Sequence, residues 1–498
     1  MSQTEKPMKI SKQLRLQGQG FLLSRNNSEM LMGIIQHFDC GADLHSCLLT
    51  LEMIFSTLLK DRNMYIEVIP LKPIEQTPEN QYKDWLRNVY EECFTKIVHT
   101  MENASPKIQT QGLSTAMNLL SYEGKYPLES KGTFENYVPL SKLKSILIKM
   151  LSNKQNNVQL VNKYTEYLLF DDILFFTWKL LPSLTAKSNP NETYIMNYLA
   201  LLEKLQVHQN NDTKILCSEG NGSFFTFDET VTIKSLNKIW HCVMHWEHTP
   251  LTHKKMLIVL LERVLTNLEK PLLLTDFLMD SLDVGGSISL LALQGIFTMI
   301  QVHNLDYPNI FTKLYSMFEP EIFHTKYKAR LFYLSDLFMS STHLPENLVA
   351  AFAKRMARLA LIAPSEDIII ICNFIGNLIL RHPGLKCLLN NSDRDTANTD
   401  PYIMEERDPV KSNAINSSLW EIKTLQSHVQ PSVSSAAKFI NTPLPSVEWD
   451  LSKVLDKTGD DMFDKEVKKF SKLIVLQFEK PNGASIGKGE RLLQFWDF

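Results

Sequence analysis

Amphipathic helical patterns, separated by short breaks, follow one another along most of this chain. Between 345 and 361, the apolar residues Leu348, Phe352, Met356 and Leu359 recur at the spacing of a single helix face. The same pattern predicts further helices near 256–268, 272–282, 287–302, 309–318, 326–340, 365–381, 412–428 and 461–479. Since helices of this length with short connections must pack against one another, the sequence predicts an all-α fold.

Two architectures can accommodate a long succession of packed helices. Helix pairs stacked along an axis form an armadillo or HEAT-like helical-repeat solenoid, whose repeats would be degenerate here because no fixed sequence period is present. A large helical bundle is the alternative. Strand patterns are confined to 224–233 and 473–478. We therefore predict a degenerate solenoid in three parts: an N-terminal helical region at 1–285, a helical domain at 286–480, and a flexible C-terminal tail at 481–498.

Composition and charge narrow the class of protein. The 498 residues are 44% hydrophobic and carry a formal net charge of −3, so no global positive field attracts nucleic acid. Seven cysteines without a CxxC pair are typical of reduced thiols inside the cell. The N-terminus lacks an apolar secretion signal, and the most apolar stretch, 368–380, is shorter than the ~20 residues of a membrane-spanning helix. We expect an intracellular protein without a membrane segment.

A histidine cluster is the strongest candidate for metal binding. On a helix, His241, His245 and His248 would share roughly one face, and zinc sites use such nitrogen ligands. The opposite face carries Leu236 and Trp240, so the histidines are expected to face solvent, and no HExxH pattern accompanies them. We interpret the cluster as the polar face of a helix, with no metal.

Two further segments depart from the motifs that they superficially resemble. Segment 483–489 has three residues between its first two glycines and Gly489 after Lys488, whereas a phosphate-binding loop needs four residues and a hydroxyl. An acidic loop at 390–412 fails the EF-hand spacing, so its carboxylates, Asp400 included, are expected to be solvated. Since no nucleophile, base or cofactor motif is found, the sequence predicts no catalytic activity and no cofactor.

Basic side chains recur on the helices predicted in the second half. Acidic residues balance them over 289–440, so a solvated helix face is the first interpretation. Contact with RNA phosphates or with an acidic partner is the alternative. The candidates for such contacts are Lys326, Arg330, Lys354, Arg355, Arg358, Arg381 and His382.

Several strings in the second half form an ordered set that is specific as a whole. They are Leu305-Asp306-Tyr307-Pro308-Asn309, Phe311-Thr312-Lys313-Leu314-Tyr315, Lys326-Tyr327-Lys328-Ala329-Arg330-Leu331-Phe332, Ser340-Ser341-Thr342-His343-Leu344-Pro345, Ala350-Ala351-Phe352-Ala353-Lys354-Arg355-Met356-Ala357-Arg358-Leu359-Ala360-Leu361, Arg381-His382-Pro383, Asp408-Pro409, Asn413-Ala414 and Ser417-Ser418-Leu419-Trp420-Glu421. Over about 289–440 this set resembles the CCAAT-binding-factor domain of the nucleolar-complex proteins. Because the chain is short and slightly acidic, with this domain near its C-terminus, it resembles the small-subunit member of that family.

The resemblance implies a scaffold in the nucleolus. It implies a stable complex with nucleolar protein 14, membership of the small-subunit processome, and a role in rRNA processing and in maturation and export of the 40S precursor. It leaves open a local or indirect contact with precursor rRNA. A nuclear DNA-binding transcription factor is the alternative function, although it would need a basic reading helix or zinc module that the sequence lacks. Large motif residues such as Tyr307, Phe332 and Trp420 are expected in the core.

Overall fold

The computed structural model describes residues 10–24, 27–41, 43–67, 77–129, 137–209, 214–218, 225–304, 307, 309–389 and 400–473. Within these ranges the secondary structure is helical, apart from one isolated bridge between Ile66 and Glu129. This confirms the all-α prediction. The strand predicted at 224–233 is wrong, because Asp228 caps a helix that begins at Glu229. Beyond Leu473, the second strand candidate and the tail at 481–498 lie outside the described residues.

The chain divides into two compact units, Met1–His303 and Asn304–Phe498. The boundary predicted near 285 stays a prediction. In the first unit the α-helices are α1 (Ile10–Leu23), α2 (Ser28–Asp39), α3 (Leu44–Lys60), α4 (Pro78–Asn103), α5 (Pro106–Lys125), α6 (Leu140–Met150), α7 (Val158–Tyr164), α8 (Asp171–Leu184), α9 (Glu192–Lys204), α10 (Glu229–Val243), α11 (Pro250–Val259), α12 (Thr275–Asp283) and α13 (Gly286–His303). The single helix predicted at 256–268 is instead the end of α11, a π segment at Leu260–Val264 and a 3₁₀ turn at Leu265–Asn267.

Helix contacts in the first unit form two rows. The odd-numbered helices from α1 to α13 each contact the next odd-numbered helix, and the even-numbered helices from α4 to α10 do the same. Neighbours such as α4 and α5 connect the rows. Since contacts advance steadily along the chain, helix pairs are stacked as in a solenoid, where each repeat contacts its neighbours. The arrangement confirms the prediction of a helical repeat over a bundle.

Close approaches and buried polar groups hold these rows together. Gly112 of α5 lies so near α4 that a Cβ there would clash with Thr100 Oγ1. Buried Asn197 of α9 donates from Nδ2 to the carbonyls of Ser152 and Gln155, each at 2.9 Å. These bonds fix the segment after α6 onto α9. Satisfying buried polar groups in this way avoids a desolvation cost of about 1–3 kcal/mol each.

Helix α13 is the only described helix long and apolar enough to cross a membrane, by length and composition. Half of it is buried inside the protein, where it contacts α11 and α12. This burial is typical of a core helix, and α13 lies at the end of the odd-numbered row.

The second unit is built around two long helices. Its α-helices are α14 (Ile310–Ser316), α15 (Lys328–Phe338), α16 (Glu346–Ala360), α17 (Ser365–Arg381), α18 (Trp420–Leu425), α19 (Pro431–Ala436), α20 (Ser452–Leu455) and α21 (Gly459–Leu473). Helix α16 packs against α17 and α18, and α17 also contacts α19, α20 and α21. The helices predicted at 345–361 and 365–381 are confirmed. The one predicted at 412–428 is a 3₁₀ turn at Ala414–Asn416 followed by the short α18.

Aromatic packing forms the centre of this unit. Phe352 of α16 is fully buried, and its ring meets those of Tyr315 and Phe318 edge-on at 5.3 and 6.2 Å. Phe332 of α15 packs edge-on against Phe374 of α17 at 6.3 Å. The core placement predicted for the motif residues Phe332 and Tyr315 is therefore confirmed. Such pairs contribute about 0.5–1.5 kcal/mol each beyond the area that they bury.

A candidate interaction site built on a buried charge cluster

Three of the predicted contact residues, Lys354, Arg355 and Arg358, lie on the polar side of α16. Opposite them runs the segment that returns from residue 400 into α18. Lys354 is fully buried, and its Nζ lies 2.8 Å from Asp400 Oδ2 and 2.6 Å from Glu421 Oε1. It also donates to the carbonyl of Ser418 at 2.6 Å. Its ammonium group is thus saturated by contacts within the chain.

Arg358, one turn further along α16, completes the cluster. Its Nη2 lies 2.7 Å from Asp400 Oδ2, and its Nε lies 2.9 Å from Glu421 Oε1. The guanidinium also stacks on the Trp420 ring, 4.8 Å from the ring centroid, and the indole N–H donates to Asp400 at 2.8 Å. Two cations thus alternate with two carboxylates. We call Lys354, Arg358, Asp400 and Glu421 the Lys354 cluster.

The two carboxylates of the cluster have opposite pKa shifts. Burial would raise the pKa of Asp400, but hydrogen bonds from Lys354, Ser417 and Trp420 outweigh it and hold this pKa well below the usual range. For Glu421, burial dominates over the attraction of Lys354 and raises the pKa. Asp400 is therefore the firmly ionised member, because more donors converge on its oxygens than on those of Glu421.

Arg355 binds the segment from 400 to 421 at a second position. Its Nε donates to the carbonyl of Phe318 at 2.8 Å and its Nη1 to that of Met404 at 3.0 Å. The guanidinium lies over the Tyr315 ring, 4.6 Å from the centroid, and the hydroxyls of Tyr315 and Tyr402 are 2.7 Å apart. The polar side of α16 is consequently an inner surface covered by the segment from 400 to 421.

The remaining predicted residues lie away from this cluster. Arg381, at the end of α17, binds Asp336 at 2.8 Å and Glu448 at 2.6 Å. Burial would lower the pKa of Arg381, but these two carboxylates outweigh it and raise the pKa. His382 is buried, with its Nε2 3.5 Å from the Met339 carbonyl. Both residues join elements within the second unit.

Lys326 and Arg330 are the exposed candidates. Lys326 precedes α15, and Arg330 lies in the first turn of that helix. The structure thus brings Lys354, Arg355 and Arg358 together, places Arg381 and His382 at the end of α17, and leaves these two on the surface. That the seven contact a partner stays a prediction.

Two expectations about polarity are corrected here. The solvated face expected on α16 is wrong, because the segment from 400 to 421 covers it. Asp400, expected in a solvated loop, is mostly buried and bound by two cations. No local signal pointed to this burial: Ala350 and Ala357, one helical turn before and after Lys354, are fully buried, but only the structure shows it.

The core placement predicted for Trp420 is also wrong, for a different reason. It was expected in the core, yet 39% of it is exposed, and it covers Arg358. No local pattern distinguishes these two placements, because an indole has both an apolar face and a polar N–H. The Lys354 cluster therefore presents an aromatic surface to solvent above a fixed set of charges.

The histidine cluster does not form one helix face. Helix α10 ends at Val243, so His245 and His248 leave the helix, and the His241 and His245 rings lie 4.8 Å apart on the surface. Across the described part of the chain, no group of three or more His, Cys, Asp or Glu side chains is arranged to hold a metal ion.

Comparison with known proteins identifies the family. Residues 289–437 match the model of the CBF/Mak21 family, and residues 24–189 match that of the nucleolar complex protein 4-like TPR repeats. Nucleolar complex protein 4 homolog B of Xenopus laevis is 35% identical over 479 residues, which cover 93% of this chain and 91% of the relative. The chain belongs to the nucleolar complex protein 4 family. The human homolog is 32% identical over 455 residues, 88% of each chain.

Membership of this family agrees with the features already described. A relative from Schizosaccharomyces pombe, an uncharacterised protein, is 30% identical over 430 residues, 83% of this chain and 86% of the relative. The resemblance over about 289–440 is confirmed by the matched CBF/Mak21 range. The TPR repeats of the other range agree with the two-row stack, and the predicted nucleolar location agrees with the names of the relatives.

Proposed function

We propose that this chain is a non-catalytic nucleolar scaffold in small ribosomal subunit biogenesis. It acts in the small-subunit processome through a stable complex with nucleolar protein 14, and it supports rRNA processing and the maturation and export of the 40S precursor. The observation that carries the proposal is membership of the nucleolar complex protein 4 family over nearly the whole chain. A stacked helical repeat is suited to this role because it offers extended surfaces to proteins.

Several basic side chains point into the second unit and not to solvent, which supports binding to proteins over binding to RNA. The charges of Lys354, Arg358 and Arg381 are paired with carboxylates of the same chain. They therefore stabilise the shape of the second unit, and a phosphate would have to displace those carboxylates to reach them. Since these cations are engaged internally, we propose that contact with precursor rRNA is indirect or confined to small exposed patches.

Lys326 and Arg330 are the contact residues that we propose for such a patch. Both are exposed at the start of α15, within the range matched by the CBF/Mak21 family. An exposed arginine beside a lysine suits an acidic partner segment, because guanidinium groups bind carboxylates with two parallel hydrogen bonds.

The alternative of a DNA-binding transcription factor has less support. A helix that reads the major groove must present basic side chains to solvent, and α16, the helix of the motif string Lys354-Arg355, turns Lys354 and Arg358 inward. No observation of the described residues favours an enzyme.

Gradient sedimentation of the tagged endogenous protein tests the proposal. We expect it to migrate in a very large particle with nucleolar protein 14 and small-subunit rRNA precursor. The double variant Lys326→Glu/Arg330→Glu should weaken this association, whereas the matched control Lys423→Glu/Lys438→Glu, exposed on α18 and after α19, should not. Migration of the wild-type protein as a free monomer or small dimer would overturn the proposed function.

A further inference from the structure

Helix α21 is held firmly at its start. Thr458 Oγ1 accepts from the Asp461 N–H at 3.3 Å, and Asp461 Oδ2 accepts from the Thr458 N–H at 3.1 Å. Two N-terminal donors are therefore satisfied reciprocally, as in a capping box. Met462 is buried, on a helix that contacts α17. Glu466 accepts a hydrogen bond from Ser432 of α19. One side of the first two turns is thus docked, and the helix direction is set.

Beyond that docked side, α21 exposes an apolar stripe. Phe463, Val467 and Phe470 are 68%, 48% and 55% exposed. Their spacing of four and then three residues places them on one face of the helix. Exposing two phenyl rings and a valine to water is unfavourable, because apolar side chains are stabilised by burial. The stripe has the spacing of the anchors with which a helix binds an apolar groove.

The charges around the stripe restrict what can cover it. At about 100° per residue, the exposed Asp460 and Asp464 lie beside one edge of the stripe. Glu466 lies beside the other edge, where it is engaged by Ser432 and by Lys469 at 3.8 Å. The lysines occupy the opposite face of the helix; they are Lys465, Lys468, Lys469 and Lys472. An anionic membrane or RNA would meet the exposed carboxylates of Asp460 and Asp464 at one edge of the stripe. A protein groove with apolar walls and basic side chains on its rim complements both the stripe and this acidic edge.

We propose that α21 is a docking helix whose stripe of Phe463, Val467 and Phe470 inserts into an apolar, basic-rimmed groove of a partner protein. The inference goes beyond the proposed function, since it depends only on the face and charges of this helix. Docking requires little ordering of α21, because its cap and its contact with α19 already fix it. A preorganised helix binds with a smaller entropy cost than a segment that folds on binding.

Site-specific photo-crosslinking in cells tests the inference on the full-length chain. A benzoylphenylalanine replaces Phe463 or, in the matched control, Lys472 on the opposite face, and the crosslinked peptides are sequenced. We expect Phe463 to crosslink to one site of one other protein, within an apolar groove bordered by Lys or Arg. The Lys472 position should give at least tenfold less of that product.

Variants then separate docking from simple proximity. In chains with the crosslinker at Val467, Phe463→Gln/Phe470→Gln should reduce the product at least tenfold, and Asp460→Lys/Asp464→Lys should reduce it several-fold. The control Lys465→Gln/Lys472→Gln, at exposed positions on the opposite face, should leave it unchanged. Circular dichroism should show the same helicity in all of these chains. Crosslinks to RNA, to lipid, to a second copy, to the chain's own C-terminal residues, or to nothing, would each overturn the proposal, as would a groove with an acidic rim.

Discussion

At the scale of single residues, the second unit depends on charges hidden from water. Lys354 and Glu421 are both fully buried, with their charged atoms 2.6 Å apart. Removing two ions from water costs several kcal/mol per ion, and only close, well-directed contacts compensate it. Asp400 and Arg358 supply those additional contacts. The cluster is therefore more a device for fixing one arrangement of α16 and α18 than a large source of net stability.

Replacing Lys354 with methionine should expose this dependence. Lys354→Met leaves Asp400 and Glu421 with Arg358 as their shared cation, so we expect a loss of about 3–5 kcal/mol in the free energy of unfolding. Urea unfolding followed by far-ultraviolet circular dichroism measures it. The control Lys326→Met, at an exposed position, should change stability by less than about 0.5 kcal/mol. Equal effects of the two substitutions would contradict a structural role for the cluster.

Acid should weaken the cluster through Asp400. Its folded pKa lies below the unfolded value of about 3.9, so its contribution is full above that value and is lost as the pH falls towards the folded pKa. The stability advantage of the wild-type chain over Asp400→Asn should therefore be constant above about pH 5 and should shrink between about pH 5 and about pH 2. Urea midpoints of both chains at several pH values measure this. An advantage that stays constant or grows on acidification would refute the assignment.

At the scale of helices, the row structure of the first unit rests on close approach. Helix α5 contacts both α3 and α4, and Gly112 lies where α5 meets Thr100 of α4. Thr100 Oγ1 is itself tied to the Ile97 carbonyl at 2.7 Å, so it cannot turn aside without breaking a buried hydrogen bond. A side chain at position 112 must therefore separate the two helices.

Gly112→Ala should consequently destabilise the first unit. A Cβ that clashes with Thr100 Oγ1 forces a backbone or side-chain shift, which typically costs about 1–3 kcal/mol. Gly33→Ala in α2 is the matched control, because a Cβ there meets no atom within 4 Å. It should stabilise the helix by up to about 1 kcal/mol through helix propensity. Thermal unfolding of both variants measures these changes. A change of unfolding temperature with the same sign in both variants would argue against tight packing of α4 on α5.

At the scale of the whole molecule, the chain combines a near-neutral net charge with extended helical surfaces. Its formal charge is −3, and Lys354 and Arg358 of α16 are turned inward in the second unit. Long-range attraction to a nucleic acid is therefore weak, and association with a large particle would depend on protein contacts. In the first unit, contacts between successive helices spread the stabilisation along the stack.

Salt dependence distinguishes protein contacts from RNA contacts. A protein that neutralises 6–10 phosphates loses about 10³–10⁵ in affinity between about 50 and about 200 mM salt. We expect the fraction of this chain in the sedimenting particle to change less than about tenfold over that range. Ribonuclease treatment before sedimentation is a useful control. Release of the chain at the higher salt, in step with a known RNA-binding protein, would contradict the protein-contact model.

Local sequence determined the helices and most of the core. The 3.6-residue period of Leu348, Phe352 and Met356 is a property of neighbouring residues, and α16 and its buried face follow from it. Pro364 and Pro383 similarly bracket α17. The motif strings were sufficient to identify the family, because an ordered set of short strings is specific even though each string alone is a weak signal.

Tertiary structure decided which polar and apolar faces meet water. Lys354 pairs with Asp400 and Glu421 across a long stretch of sequence, so no local period could show that the polar side of α16 is covered. The apolar stripe of α21 has the same amphipathic pattern as a buried helix, yet Phe463 and Phe470 are exposed. A helical period specifies that a face is apolar or charged. Whether that face is buried depends on the position of other elements, which long-range packing alone sets.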